Sequence, residues 1–211
     1  MADTAERIAT EERFLDAAER LLIDVGYATI STRRLAEEAG ANHGLVHYYF
    51  GSMEHVFLRV LERFTERLIA RQREMYAAPI PFIQKWRAAM RFLDSDLENG
   101  YQKVWFELQA MAWNRPDVKA RLALVHAQWR QVLREAFASA MEGYGLDAEH
   151  FPLEAMTALV ITFNEGIILE RLGGITAGQS ELLAMIDRWL VTLEQRAAAA
   201  AEKGQGDHAS M

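Results

Sequence analysis

The chain has 211 residues, 51% hydrophobic and 25% charged, with four prolines and no cysteine. It is long enough to bury a real core, but it can hold no disulfide, no thiolate metal site and no cysteine nucleophile. Its formal charge of −7 has the wrong sign for gripping nucleic acid by bulk electrostatics, so any such contact must gather its cations on one small surface.

Residues 1–10 are polar, without the apolar stretch of a secretory leader. Phe14, Ala18, Leu21, Leu22 and Val25 then recur at helical spacing and predict an amphipathic helix over 11–25, stopped by Gly26. Residues 32–51, TRRLAEEAGANHGLVHYYFG, have the pattern of two short helices joined by a tight turn. Such a crossing needs a small residue where the helices touch and a glycine free to turn left-handed, and Ala36 and Gly40 supply them. Leu35, Ala39, Val46 and Phe50 face inward. Ser31 or Thr32 caps the first helix and Asn42 the second. The second helix, predicted over 43–49, then exposes His43, Gly44, Leu45, His47 and Tyr48, with Tyr49 at its end: a short rod of hydrogen-bonding and flat side chains suited to the DNA major groove.

Further helical faces follow, beginning with Val56, Phe57, Val60, Leu61, Phe64 and Leu68, and ending with Leu182, Leu183, Ile186, Leu190 and Leu193. Breakers at Gly40, Gly51, Pro79–Pro81, Gly100, Pro116, Gly143, Pro152 and Gly173 divide the chain into about nine helices, with no strand-like alternation. The longest apolar run, 158–163 continuing through 167–169, is interrupted by Asn164, Glu165 and Gly166 and is too short to span a bilayer. A soluble, cytoplasmic, all-α protein is expected. Its N-terminal helix-turn-helix domain covers 1–52, a ligand-sensing and dimerisation domain covers 53–197, and residues 198–211 form a disordered tail.

Residues 11–57 resemble the DNA-binding domain of the TetR family of transcriptional regulators. The matching residues are Phe14, Leu15, Ala17 and Ala18, then Gly26 and Tyr27, 31–36, Ala39 and Gly40, Gly44, Tyr49, Phe50, Ser52 and Glu54. The resemblance implies that Thr32, Asn42, Tyr49 and Ser52 contact phosphates, and that Arg33, His43, Gly44, Leu45 and His47 face bases. It also implies a homodimer on a palindromic operator, paired through helices at about 152–172 and 179–196. Dimerisation is required physically as well, since a two-turn helix reads too few base pairs alone. The family often carries lysine at the positions of His43 and Met53. Neither charge is present here, and residues 1–75 hold ten arginines, no lysine and thirteen acidic groups.

After residue 76 the resemblance is looser, carried by Phe106-Glu107-Leu108, by 114–122 and by 164–167. Aromatic and polar residues set in apolar surroundings nominate a ligand site: Trp86, Met90, Trp105, Gln109, Trp113, His126, Trp129, Phe163, Asn164 and Glu165. The expected effector is small and hydrophobic, and no cofactor or metal is expected. No phosphate loop or nucleophile elbow occurs, and His43 and His47 lack the glutamate a zinc-protease helix places between them, so no enzyme is expected. The resulting expectation is a ligand-released repressor. An activator, or an all-helical binding or scaffolding protein without an operator, are the alternatives.

Overall fold

A computed structural model describes residues 2–208. Among them are nine α-helices and no strand: α1 (Ala2–Val25), α2 (Thr32–Ala39), α3 (Gly44–Phe50), α4 (Met53–Ala77), α5 (Phe82–Glu98), α6 (Tyr101–Ala112), α7 (Pro116–Gly143), α8 (Leu153–Leu172) and α9 (Gln179–His208). A 3-10 turn, Tyr27–Thr29, lies between α1 and α2. The fold class is the one the hydrophobic periodicity predicts. None of these helices is long and apolar enough to cross a membrane.

At the two ends of the chain the helix boundaries differ from expectation. α1 begins well before residue 11, because the preceding Ala, Glu and Arg residues are good helix formers that extend the turn already nucleated. α9 runs on to His208 through the segment expected as a tail; residues 209–211 of that segment lie outside the described residues.

Packing divides the chain into two compact units. The first comprises residues up to 68 together with 96–127, and the second 69–95 together with residues from 128 on. The helix-turn-helix therefore shares a core with α6 and the first half of α7. Phe14, Leu15 and Leu22 of α1, Leu35 of α2, Val46 of α3, Val56, Val60 and Leu61 of α4, Val104 and Leu108 of α6 and Val118 of α7 are all fully buried there. Each of these side chains contributes about 1.5–3 kcal/mol of transfer free energy, and deleting one costs more once the cavity it leaves is counted.

Candidate nucleic-acid interface

The turn between α2 and α3 is built as the residue pattern requires. Ser31 caps α2, its Oγ accepting from Arg34 N at 3.2 Å, and Gly40 ends that helix in the left-handed region at φ 61°. Asn42 Oδ1 accepts from Gly44 N at 2.9 Å and organises the start of α3. His43 occupies the N-cap position rather than the first turn, so the helix spans Gly44–Phe50, one residue later than predicted. The asparagine turn satisfies the N–H of Gly44, and the helix can begin only after it.

Val46 and Phe50 anchor α3 in the core, and Phe14 meets the Phe50 ring edge-on at 6.1 Å. That leaves His43, Gly44, His47 and Tyr48 on the outside, Tyr48 at 71% exposure. Leu45 and Tyr49 depart from the expected outward face: both are half-buried and pack on the core, because they flank the Val46–Phe50 stripe. Tyr49 lies against Phe14 at 6.3 Å and Tyr48 at 5.1 Å.

The His47 ring has a defined orientation. Its Nδ1 lies 3.0 Å from Gly51 O, an oxygen that can only accept, so the neutral ring carries its proton on Nδ1. Nε2 is then an acceptor. Ser52 Oγ accepts from His55 N at 3.3 Å and so caps α4. The Glu54 carboxyl in that first turn sits below its ordinary 4.5, held there by backbone N–H donation, by Ser52 and by Arg115.

Cations near this face are few. Arg33 Nε donates to Glu37 Oε1 at 2.9 Å, one turn along the exposed side of α2, and Thr32 is half-buried beside it. Arg34, the other firm cation that the sequence places near this face, is exposed and forms no ion pair among the described residues. The acidic face of α1 is neutralised from within the protein. Arg63 of α4 bonds Glu12 at 3.1 Å, Asp16 at 2.8 Å and also Glu19, while Arg67 reaches Glu19 at 2.9 Å and Arg59 reaches Glu11 at 3.4 Å.

The ten ligand candidates divide between the two units. In the first, Trp105 stacks on His126 with ring centroids 6.3 Å apart and Gln109 is half-buried. Trp113 is corrected from interior to surface: at 82% exposure it stands at the C-cap of α6, where the chain leaves the helix before it can fold the ring inward. In the second unit Trp86 and Phe163 pack at 6.1 Å within one cluster, with Met90 against it. Trp129 Nε1 donates to Gln72 at 3.0 Å, Asn164 Oδ1 is buried with no hydrogen-bond partner among the described residues, and Glu165 is half-buried.

A cavity of about 490 Å³ also opens in the second unit, lined by Tyr76, Phe82, Lys85, Tyr144 and Glu194 among others; none of the ten candidates lines it. Five small residues hollow it out: Ala77, Ala136, Ala140, Gly143 and Ala197. Tyr144 donates to Glu194 at 2.5 Å, and Lys85 donates to Tyr76 O at 2.6 Å. Burial raises both phenols above their ordinary 10, aided at Tyr144 by the Glu194 carboxylate, so both stay protonated.

Residues 14–60 match the family model of the bacterial regulatory proteins of the tetR family, and residues 83–195 match that of the BetI-type transcriptional repressor, C-terminal. The chain belongs to the TetR family. It is thus a DNA-binding transcription regulator with its helix-turn-helix at the N-terminus.

Solved TetR-like structures share the fold at low identity. The fatty acid degradation regulator FadR from Bacillus halodurans has a TM-score of 0.69 at 14% identity, covering 86% of this chain and 94% of its own. FadR from Bacillus subtilis, in complex with stearoyl-CoA, gives 0.69 at 14% identity with 85% and 97% covered. Reduced NemR from E. coli gives 0.65 at 18% identity with 85% and 96% covered. No curated protein matches the chain.

Proposed function

We propose that this TetR-family regulator is a cytoplasmic homodimeric repressor, that it binds a palindromic operator by laying residues 43–49 of each subunit in the major groove, and that a small hydrophobic ligand releases it. The observation that carries the reading is the outward placement of His43, His47 and Tyr48 on a two-turn helix locked from behind by Val46 and Phe50. His47 Nε2, left as an acceptor by the bond from Nδ1 to Gly51 O, is matched to the exocyclic amine of adenine or cytosine. Arg33, His43 and Gly44 take the remaining base-facing roles, with the half-buried Leu45 packed behind them. Thr32, Asn42, Tyr49 and Ser52 take the phosphates, helped by backbone N–H groups at helix starts.

A second copy, with its reading helix about one DNA turn of 34–36 Å away, meets α8 and α9. In support of this, Leu159, Leu169 and Leu172 of α8 and Met185 and Trp189 of α9 are all exposed, an apolar surface that water penalises until it is covered. The effector proposal draws on the apolar cluster of Trp86, Met90 and Phe163, on the cavity of about 490 Å³, and on the acyl-CoA bound by the Bacillus subtilis relative. A ligand that prefers the conformation with the wrong spacing of reading heads costs one half-site its contacts, and only such differential affinity releases DNA.

Footprinting on DNA flanking the gene, with Arg33→Ala and His47→Ala in parallel, tests the reading. A near-palindromic protected site is expected, weakened or relaxed in both variants by about 1–3 kcal/mol per base contact. Undiminished site preference in both variants overturns the assignments. A thermal-shift screen of hydrophobic compounds tests the effector.

A further inference from the structure

Gly100 is the N-cap of α6, and positions 100, 103 and 107 lie on one side of the helix and its cap. All three meet the end of α1 within the first unit. A helix leaves its last carbonyls without partners, and Lys103 Nζ donates to one of them, Ile23 O, at 3.0 Å, placing a cation where the helix dipole favours it. Gly100 lies so close to the Ile23 side chain that a Cβ there would stand 2.8 Å from Ile23 Cγ1.

The turn after α1 has a gap of its own. Gly26, at φ 74°, is the N-cap residue of the 3-10 turn and has no side chain to cap it. Glu107 supplies the missing acceptor from 80 residues away: Tyr27 N donates to its Oε2 at 2.8 Å. Its Oε1 lies where a Gly26 Cβ would fall, at 2.6 Å. Glu107 is half-buried and has no ion-pair partner among the described residues. A carboxylate aimed at one backbone N–H holds that segment in place. The segment leads, through buried Ile30 and the cap residue Ser31, straight into α2 and the reading helix.

We propose that Glu107, supported by Lys103, is a positioning residue that fixes where α2 and α3 stand, so that DNA affinity depends on a residue outside the helix-turn-helix. The proposal rests on the DNA-binding reading above, and its test separates the two. In the full-length protein, Glu107→Ala is expected to speed amide exchange at Tyr27 and its neighbours by about tenfold or more. It should also weaken binding to the footprinted operator by about tenfold, while binding to an unrelated duplex of equal length changes by less than about twofold. Glu107→Gln, whose amide oxygen still accepts from Tyr27 N, should keep both properties near those of the parent.

A purely structural role would instead lower both DNA affinities together with the folded fraction, and that outcome overturns the proposal. So does unchanged exchange at Tyr27 in Glu107→Ala, a result that stands even if no operator is found. Faster exchange with no operator would sink the DNA-binding reading and keep the clamp.

Discussion

Gly40 and Gly100 both adopt left-handed backbone, at φ 61° and 76°, yet their surroundings differ. A Cβ on Gly40 meets nothing within 4 Å, whereas one on Gly100 would stand 2.8 Å from Ile23. Gly40→Ala therefore pays only the backbone term, about 1–2 kcal/mol, and Gly100→Ala adds an overlap of about 1–3 kcal/mol. Urea titration of the two variants should give a clearly lower midpoint for Gly100→Ala; equal midpoints would show that α6 yields freely at its first turn. His47 belongs to the same scale. Because Nδ1 is committed to Gly51 O, His47→Ala should relax preference at a single base pair per half-site, without shifting the footprint.

Between elements, ion pairs do much of the arranging. Arg115, at the start of α7, bonds Glu54 in the first turn of α4 at 3.0 Å. The folded-state pKa of Glu54 is lowered, so its contribution to stability is fully present above the ordinary carboxylate value and is lost as pH falls through the lower folded value. The melting temperature of Glu54→Gln should accordingly lie below that of the parent at pH 7, and the two should converge as pH falls through the lowered folded-state value. A gap that persists at low pH would mean the loss is one of packing, not charge. The Arg63 cluster has a different consequence: the carboxylates of Glu12, Asp16 and Glu19 are answered by α4, so the acidity of α1 projects little field toward the reading face.

For the whole molecule, net charge and surface make separate predictions. With −7 overall and Arg33 already tied to Glu37, a dimer offers Arg33 and Arg34 twice, about four cations. The log–log salt slope of operator binding should then be no steeper than about −4, at roughly −0.9 per neutralised phosphate. A slope near that of a strongly basic repressor would mean that other cations carry the contact. Trp189→Glu, in the middle of α9's exposed apolar face, should yield a monomer by analytical ultracentrifugation at micromolar concentration and abolish operator protection. An intact dimer would remove this face from the interface.

The class of fold, the helix-turn-helix and its breakers were legible because each depends on neighbours within a few positions. The 3.6-residue spacing of Phe14, Leu21 and Leu22, the cap at Ser31 and the left-handed turn at Gly40 are local hydrogen-bonding and steric facts. The candidate ligand set was legible only as composition, and ring type alone could not separate the outward Trp113 from Trp86 in a core. Likewise no spacing rule brings Glu107 to Tyr27 across 80 residues, Arg63 to three acids of α1, or five small residues around one cavity. Sequence determined what each segment becomes, since that balance is struck inside one helix or turn. Only the tertiary structure decided which segments meet, because that choice depends on how whole helices pack and bury their faces together.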